Sequence, residues 1–392
     1  MDDAAGRLIP APLEGEKPRP VIFLSVGEPS GDLHGAALAR ALRARVPGVR
    51  LIGLGGPAMA AEGVELLADL KDLAVMGFVE VLSRLRFFLK LRDRVFAALA
   101  SEKVDLVIPV DYPGFNLRLA KHAKAAGIPV LYYIAPQVWA WHSSRARDIA
   151  RDTDRVAVIL PFEADFLAKN GAIVEFVGHP LLDVAPLTSD RASWLQAQGL
   201  SAEKPLLALF PGSRRQELDR HLEIFAAAAR ALQQTHPNLQ VLLAAASGIP
   251  LDAYGRAGFP TTNATGELLG FASAAIVKSG TTTLEAALAE TPFVVAYRMN
   301  RGSWQVARRL VKVPHIALAN LVAEKRVVPE LIQDEVTPAR LAAAVAPLLD
   351  EASPRRREVV EGLRQVRGAL KRGGAGERVA EIAAELIAQR AS

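Results

Sequence analysis

The chain contains no cysteine among its 392 residues. This excludes disulfides and thiolate metal ligands, and it fits a reducing compartment. Its seven histidines are scattered and show no metal-ligand spacing. No apolar run approaches the length of a membrane-spanning helix, and the acidic, proline-rich N-terminus lacks the apolar stretch of a signal peptide. We therefore expect a soluble cytoplasmic protein whose residues 1–19 form a disordered leader.

Positive charges are only in mild excess over negative ones. The net charge is +5, which favours anionic partners: nucleic acid, an acidic membrane surface or phosphorylated metabolites. The basic residues form no long run, and no RNA-binding or zinc-finger signature is present. We therefore expect no nucleic acid partner.

What the chain does have is a repeat of apolar runs separated by helical segments. Apolar residues make up 51% of the sequence, enough for real cores, and the length exceeds what one core usually supports. The runs of the first half are "VIFLSV" (21–26), "RLIGLGG" (50–56), "VDLVIPVD" (104–111), "PVLYYIA" (129–135) and "RVAVILP" (155–161). Those of the second half are "PLLALFPGS" (205–213), "LQVLLAAAS" (239–247), "AAIVKSG" (274–280) and "PFVVAYRM" (292–299). Strands that alternate with helices indicate parallel sheets covered on both faces.

A stretch with prolines and no apolar period, residues 178–194, separates the two series. It predicts an α/β protein with two doubly wound Rossmann-like domains facing across a cleft, with sites at the carboxyl ends of the strands. We place the N-terminal domain at 20–185 and the C-terminal domain at 186–365. Residues 366–392 are predicted to form a C-terminal helix that could pack back on the first domain.

One donor-rich turn of the second half is "ALFPGSRRQE" (208–217), in which Ser213 and Arg214 open a helix. A guanidinium at this place could chelate phosphate oxygens in a bidentate manner. The alternative is a surface salt bridge of Arg214 with Glu217 or Asp219.

A second such turn is "KSGTTTLEAALAETP" (278–292), where Gly280, Thr281 and Thr282 precede a helix. Either these residues only cap the helix, or their backbone N–H groups and hydroxyls bind an anion. Two donor-rich turns in one sheet can converge on one diphosphate. Glu285 would repel phosphate but could accept hydrogen bonds from ribose hydroxyls, so the pattern favours a nucleoside diphosphate.

The carboxylates of the first half also follow predicted strands. Asp111 is either a helix N-cap or a general base at the cleft. In "VGEPSGD" (26–32), Glu28 could accept from a sugar hydroxyl and Ser30 could receive a phosphate, whereas the second carboxylate, Asp32, argues against a pure phosphate cradle. Neither the Walker motif nor the dinucleotide GxGxxG motif is present.

A basic amphipathic helix is predicted over residues 81–100. Phe87, Phe88 and Leu91 belong to an apolar stripe that is wider than an ordinary core face and is interspersed with arginines and lysine. Two interpretations stay open: a buried face with solvated arginines, or a helix that lies in a membrane interface through these three side chains.

An ordered set of motifs covers nearly the whole chain from Val21 onward: "SVGEPSGDLHG", "GGPAM", "MGFVEVL", "DYPGFNLRLA", "YYIAPQVWAWHSSRA", "ILPFE", "FVGHPLLD", "LFPGSRRQE", "KSGTTTLEAAL", "VVAYRMN" and "LANLVAEKRVVPELIQDE". In this order they resemble the lipid-A-disaccharide synthase family. The resemblance implies an inverting GT-B glycosyltransferase that needs no metal and no cofactor. Its substrates would be a UDP-2,3-diacylglucosamine donor and the acylated sugar-phosphate acceptor 2,3-diacylglucosamine 1-phosphate, and UDP would be released. It would work peripherally on the cytoplasmic face of the inner membrane, and a homodimer stays open.

The residue pattern and the expected displacement together assign the site residues. Asp111 is the predicted catalytic base, with Glu28 and His34 behind it. The predicted substrate-binding set is Ser30, Ser213, Arg214, Gly280, Thr281, Thr282, Glu285, Arg298, Asn320 and Gln333. Asn320 and Gln333 are polar in apolar surroundings, which suits either ligand contact or buried hydrogen bonds, and the resemblance places their segment beside the nucleotide. The family more often has a small residue among the threonines, so Thr282 and Thr283 could be structural.

Three other classes compete with this interpretation. A UDP-GlcNAc 2-epimerase would share the architecture and nucleotide site, but the broad apolar and basic helix argues against it. A lipid-acceptor glycosyltransferase of peptidoglycan synthesis would differ in its first half. A non-catalytic nucleotide-binding regulator would keep the second-half site and have no need of Asp111.

Overall fold

A computed structural model describes residues 19–70, 85–141, 144–183, 189–246, 248–310, 313–370 and 373–391. The strands within these ranges are β1 (Val21–Ser25), β2 (Arg50–Gly55), β3 (Glu65–Asp69), β4 (Leu106–Pro109), β5 (Leu131–Tyr133), β6 (Arg155–Val158), β7 (Val174–Phe176), β8 (Leu206–Phe210), β9 (Gln240–Ala244), β10 (Thr261–Thr262), β11 (Ala274–Lys278), β12 (Phe293–Tyr297) and β13 (Glu330–Ile332).

The α-helices within the same ranges are α1 (Pro29–Arg45), α2 (Pro57–Ala61), α3 (Leu85–Ser101), α4 (Pro113–Ala125), α5 (Val138–Trp141), α6 (Arg145–Asp152), α7 (Pro161–Ala168), α8 (Arg191–Ala197), α9 (Arg215–Thr235), α10 (Thr265–Phe271), α11 (Thr282–Leu288), α12 (Arg301–Leu310), α13 (Leu318–Val322), α14 (Pro338–Leu349), α15 (Pro354–Leu370) and α16 (Ala375–Ala391). Short 3-10 turns occupy Pro180–Leu182, Leu251–Ala257 and Gln333–Glu335.

The first half of the chain builds one parallel sheet. Its strand order is β3-β2-β1-β4, and bridges between Val107 and Val130 and between Val110 and Tyr133 continue it into β5-β6-β7. Strand β1 is buried on both faces from Ile22 onward, as expected for the centre of a sheet with helices on each side.

The second half builds a separate sheet of order β10-β9-β8-β11-β12-β13, and its strand pairs are also parallel. Each sheet has its own apolar core. Two doubly wound α/β units are therefore present, which confirms the predicted fold class.

The chain passes between the two halves twice, and the two passages are joined by hydrogen bonds. The Asp183 carboxylate accepts from the backbone N–H of Gly374 (2.8 Å) and Ala375 (3.0 Å). Beyond this point α16 packs on α1, with Val379 and Ala383 buried in the core of the first sheet. The last helix of the chain thus belongs spatially to the first half, while the domain boundaries given above stay a prediction.

Candidate active site

Asp111 follows β4 directly and takes a left-handed backbone conformation (φ 47°), as does Tyr112 (φ 51°). Buried hydrogen bonds fix this turn. The Asn116 side-chain amide donates to the Asp111 carbonyl (2.8 Å) and to the Ser25 carbonyl (3.0 Å), and the Tyr132 hydroxyl also donates to the Asp111 carbonyl (2.8 Å). Helix α4 starts at Pro113 with Tyr112 as its N-cap. Asp111 is therefore not the helix N-cap, which was one of the two roles that the sequence allowed.

Burial, and secondly the negative charge of Glu28, raise the pKa of Asp111 to about 6. Glu28 is the N-cap residue of α1, and its exposed side chain makes no capping hydrogen bond. The ring of Tyr112 lies against Gly27, where a Cβ would come within 2.2 Å of the ring. Glu28, Asp111 and Tyr112 thus share one edge of the sheet, and a carboxyl with a pKa near neutrality suits a general base.

The other polar residues of this edge differ in role. Ser30 is exposed in the first turn of α1. The buried carboxylate of Asp32 accepts from the backbone N–H groups of Gly56 (2.8 Å), Ala58 (3.0 Å) and Met59 (3.1 Å). It therefore caps α2 and is engaged in the fold.

His34 lies partly buried on α1, and burial lowers its pKa. Its electrostatic neighbour is His179, at the passage between the two halves, whose pKa burial lowers to about 4. The role of His34 behind the base stays a prediction.

In the second half, the predicted ligand residues follow four neighbouring strands, β8, β11, β12 and β13. Because these strands are parallel, the residues that follow them lie at one edge of the sheet. After these strands come, in this order, Ser213 and Arg214; Gly280, Thr281 and Thr282; Arg298; and Gln333.

Arg214 is exposed at the start of α9. The acids that could have paired with it are occupied elsewhere. Glu217 contacts Lys278 at 2.6 Å and accepts from the Ser213 N–H at 3.1 Å, while Asp219 contacts Arg256 at 2.9 Å and Arg215 at 3.4 Å. Within the described ranges no ion pair or hydrogen bond joins the Arg214 guanidinium to another residue. The salt-bridge alternative is therefore not realised.

The pair of Glu217 and Lys278 is a feature that the sequence analysis missed. Both side chains are largely buried, and the Lys278 ammonium lies 5.7 Å from the centre of the Tyr297 ring. Lys278 holds the pKa of Glu217 below its usual range against the opposing effect of burial. The pair joins the turn after β8 to the end of β11, the two places where diphosphate contacts are expected.

The three threonines after β11 differ in how deeply they are buried. Thr281 is exposed and Thr282 is half-buried, whereas the buried Thr283 donates from its hydroxyl to the Gly280 carbonyl (2.8 Å). Thr283 is thus structural. The Glu285 carboxyl is half-buried, and burial raises its pKa. No hydrogen bond joins this carboxyl to another residue of the described ranges.

Arg298 follows β12 with an exposed side chain, and its backbone N–H donates to Nε2 of His221 (3.0 Å). The other ring nitrogen of His221 lies 2.8 Å from the Glu217 carbonyl. These partners assign the neutral tautomer with the proton on Nδ1. Burial lowers the pKa of His221, which agrees with a neutral ring. His221, also missed in the sequence, sets the position of Arg298.

Asn320 is completely buried, and its polar atoms are all engaged. Its amide donates to the Glu330 carboxylate (2.8 Å) and the Val328 carbonyl (3.0 Å), and its oxygen accepts from the N–H groups of Val327 (2.8 Å) and Val328 (2.9 Å). This corrects the prediction of ligand contact. Asn320 supports the loop beneath the site because an enclosed, satisfied amide has nothing left to offer a ligand.

Gln333 behaves differently. It is only 9% exposed and has a left-handed backbone (φ 52°). Its side-chain oxygen accepts from the Met299 N–H (3.3 Å), whereas Nε2 is buried without a partner in the described structure. A buried donor without an acceptor is costly, so the amide keeps one donor unused, and the ligand contact of Gln333 stays a prediction.

The predicted interfacial helix begins at Leu85 in the described structure, and residues 81–84 lie outside it. Phe87 is 36% exposed, and Phe88 is half-buried against the core. Leu91 is only 5% exposed and belongs to the core of the first sheet. The prediction that Leu91 is a surface residue is therefore wrong. The large apolar side chain exposed beside Phe87 is Leu89, at 41%.

Metal-binding clusters and membrane-spanning helices are both absent from the described residues. Within those ranges, no cluster of three or more histidine, aspartate or glutamate side chains is arranged to hold a metal ion. Likewise, none of the helices described is long and apolar enough to cross a bilayer.

The fold and the polar strand edges of both sheets define a class. A glycosyltransferase of kitacinnamycin superposes with a TM-score of 0.63 at 18% identity over 94% of this chain and 100% of that one. A Listeria monocytogenes protein named as a UDP-N-acetylglucosamine 2-epimerase superposes with a TM-score of 0.65 at 11% identity, over 93% and 95% of the two chains. At such identities the likeness shows the fold alone, which is that of GT-B glycosyltransferases.

The sequence narrows the class. Residues 22–373 match the family described as lipid-A-disaccharide synthetase. The lipid-A-disaccharide synthase of Syntrophus aciditrophicus is 44% identical over 375 residues, covering 94% of this chain and 98% of that protein. The chain therefore belongs to the lipid-A-disaccharide synthase family. It is a hexosyltransferase of lipid A biosynthesis, and the epimerase alternative is not favoured.

Proposed function

We propose that this chain transfers the diacylglucosaminyl group of UDP-2,3-diacylglucosamine to the 6-hydroxyl of 2,3-diacylglucosamine 1-phosphate, with Asp111 as general base. The acceptor oxygen attacks the anomeric carbon from the face opposite UDP, the bond to UDP breaks, and the acceptor proton passes to Asp111. An α-linked donor then gives a β-1,6-linked disaccharide 1-phosphate and UDP.

The observation that carries the base assignment is the environment of Asp111. Its backbone is locked by Asn116 and Tyr132, and burial together with Glu28 raises its pKa to about 6. A carboxyl with this pKa is mostly ionised at neutral pH, yet it is a stronger base than an exposed aspartate. Ser30, Glu28 and His34 are proposed to bind or orient the acceptor around it.

The leaving group is proposed to be held at the opposite edge. Arg214 and the N–H groups and hydroxyls of residues 280–282 would take the diphosphate, and Arg298 would add a second guanidinium. These groups would stabilise the negative charge that builds on UDP as the glycosidic bond breaks. Glu285, unpaired in the described structure, would accept from the ribose hydroxyls, and the Nε2 donor of Gln333 would meet a carbonyl of the base.

Both substrates carry acyl chains, so we infer that the enzyme meets them at the cytoplasmic face of the inner membrane. The exposed side of α3 supports this, because Phe87 and Leu89 stand beside the exposed basic residues Arg86, Lys90 and Arg94. Apolar side chains flanked by cations suit an interface with anionic headgroups. A homodimer remains a prediction.

The decisive experiment is incubation of the purified protein with both acylated sugars, followed by detection of the disaccharide and of released UDP. We expect both products in equal amounts, and a rate that falls below about pH 6 as Asp111 takes up a proton. Release of UDP with free diacylglucosamine as the sole sugar product would contradict the transfer, and a rate unchanged down to pH 4 would contradict the role of Asp111.

A further inference from the structure

A cavity of about 260 Å³ lies between the two halves of the molecule, apart from the residues assigned above. Its wall in the first half is aromatic, and its wall in the second half comes from the segment that leads into α13. The lining residues are Trp139, Phe162 and Phe166 on one side and Val313, Pro314, His315, Leu321 and Glu324 on the other.

The aromatic wall is fixed and offers no spare hydrogen-bond donor. Trp139 and Phe162 meet edge to face, with ring centres 4.9 Å apart and an interplanar angle of 89°. The Trp139 indole N–H donates to the buried carboxyl of Glu163 at 2.9 Å. An apolar cavity of about 150 Å³ stays dry and accepts a benzene molecule. This larger cavity therefore has room for an apolar chain of more carbons than benzene.

The polar lining is confined to the second half. Glu324 is exposed, and His315 is half-buried with its Nδ1 3.9 Å from the buried carboxylate of Glu330. A cavity with an apolar interior and a polar group at its exposed end suits a chain that enters from a polar headgroup.

The second-half wall is attached to the predicted diphosphate turn. The Ser279 hydroxyl donates to the Ile316 carbonyl at 2.9 Å, one residue before Gly280 and one residue after the lining His315. The Glu330 carboxylate accepts from the Ile316 N–H at 3.1 Å, which holds the same segment from below. Hydrogen bonds therefore connect the wall of the cavity to the turn at Gly280.

A residue behind the first-half wall interacts electrostatically with the proposed base. Glu163, which holds Trp139, has its pKa raised to about 7 by burial, and the charge of Asp111 contributes to that rise. The aromatic wall thus lies within electrostatic reach of the proposed base.

We propose that this cavity holds one acyl chain of the UDP-linked donor. The assignment rests on the proposed function, since only a diacylated donor brings such a chain. The donor is favoured over the acceptor because the wall of residues 313–316 is hydrogen-bonded to the turn that would hold the donor's diphosphate.

Equilibrium binding of donors with acyl chains of increasing length tests this without turnover. The wild-type dissociation constant should fall about fourfold for each added methylene until the cavity is full. Leu321→Trp fills the cavity and should remove this gain, leaving the long-chain donor at least tenfold weaker, while UDP itself binds as before. Leu251→Trp is the matched control, because Leu251 is 55% exposed and far from the cavity lining.

Thermal unfolding shows whether Leu321→Trp is folded, and Val313→Phe replaces it in the comparison if it is not. A chain-length dependence that is the same in the wild type and the filled variant would overturn the proposal. So would a loss confined to acceptors of increasing chain length. Failure of the proposed function has a separate signature: the wild type would bind the long-chain donor yet form no disaccharide.

Discussion

The strand edges of the two halves differ in the chemistry they carry. In the first half, the groups at the edge are acidic or phenolic, and the key carboxyl, Asp111, sits where burial and Glu28 raise its pKa. In the second half, the edge carries two exposed arginines, a turn of hydroxyls and backbone donors, and a buried amide with an unmet donor. Under the proposed function, two sheets of the same architecture serve opposite needs: one edge would remove a proton, and the other would receive negative charge.

The support beneath each edge follows the same division. The first edge is locked by neutral hydrogen bonds from Asn116 and Tyr132, which fix Asp111 without neutralising it. The second edge rests on an ion pair, Glu217 with Lys278, which occupies the acid that would otherwise pair with Arg214. In both cases the inner residues leave the outer group without an ion-pair partner in the described structure, so its charge is open to a substrate.

The largest expected effect comes from the acidic edge. Asp111→Asn removes the proton acceptor and keeps the shape, so turnover should fall by roughly a hundred- to ten-thousandfold. Titration with UDP should show unchanged affinity. Asp252→Asn, a change at an exposed aspartate, is the control and should behave as the wild type. If Asp111→Asn turned over near the wild-type rate, Asp111 would not be the base, and the proposed contrast between the two edges would be wrong.

The same variant has a second readout in stability. The pKa of Asp111 is raised in the folded state, so its contribution to stability is fully present below the unfolded-state pKa and is lost as the pH rises through about 6. Because the side chain is partly exposed, we expect Asp111→Asn to gain about 1–2 kcal/mol in unfolding free energy at pH 7. The gain should fall to a small fraction of this at pH 4, close to the unfolded-state pKa. Denaturant titrations at the two pH values measure it, and an equal change at both would contradict the origin of the shift.

The next effect belongs to the basic edge. Arg214→Ala removes one charged hydrogen-bonding group, so UDP affinity and kcat/KM should each fall by roughly ten- to a hundredfold. Arg215→Ala is the matched control, since the neighbouring guanidinium contacts Asp219. Calorimetric UDP binding and steady-state kinetics measure the two variants. Equal losses in both would mean that general charge, rather than the placement of Arg214, holds the diphosphate.

A further prediction concerns the exposed side of α3 and its binding to a bilayer. Replacing Phe87 and Leu89 by Ser should weaken sedimentation with anionic liposomes by about tenfold while the fold survives. Binding should also fall with added salt. Leu91→Ser is the contrasting variant: it lies in the core, so it should lower the free energy of unfolding by about 2–5 kcal/mol. Liposome binding unchanged in the folded double variant would place the membrane contact elsewhere.

The smallest effect separates two amides that look alike in the sequence. Gln333→Leu removes the unmet donor, so UDP binding should weaken by roughly fivefold while the unliganded protein loses little stability. Asn320→Ala should do the reverse: the unfolding free energy should fall by about 1–3 kcal/mol through lost buried hydrogen bonds. Thermal unfolding with and without UDP measures both. A stability loss in Gln333→Leu that equals its loss of UDP affinity would make Gln333 a structural residue.

The sequence predicted the central strands of both sheets and missed the edges. β3, β7, β10 and β13 lie at the ends of the strand orders, and none was predicted. Edge strands have one partner and are less buried, so they lack the continuous apolar run that marks a central strand. The missed β13 mattered most because Gln333 follows it directly.

The sequence by itself determined the fold class, the carboxyl ends where polar side chains gather, and the family, because apolar periodicity and ordered motifs are local signals. Tertiary structure decided which polar residues are free to act. Asp32 is engaged by a backbone N–H group 24 positions away, and Asn320 by N–H groups seven and eight positions away in a folded-back loop. Arg214 is left available because Lys278, 61 positions from Glu217, takes that acid. It also decided that Leu91 faces inward and Leu89 outward. Such outcomes depend on which partner arrives from elsewhere in the chain, and no local pattern encodes that.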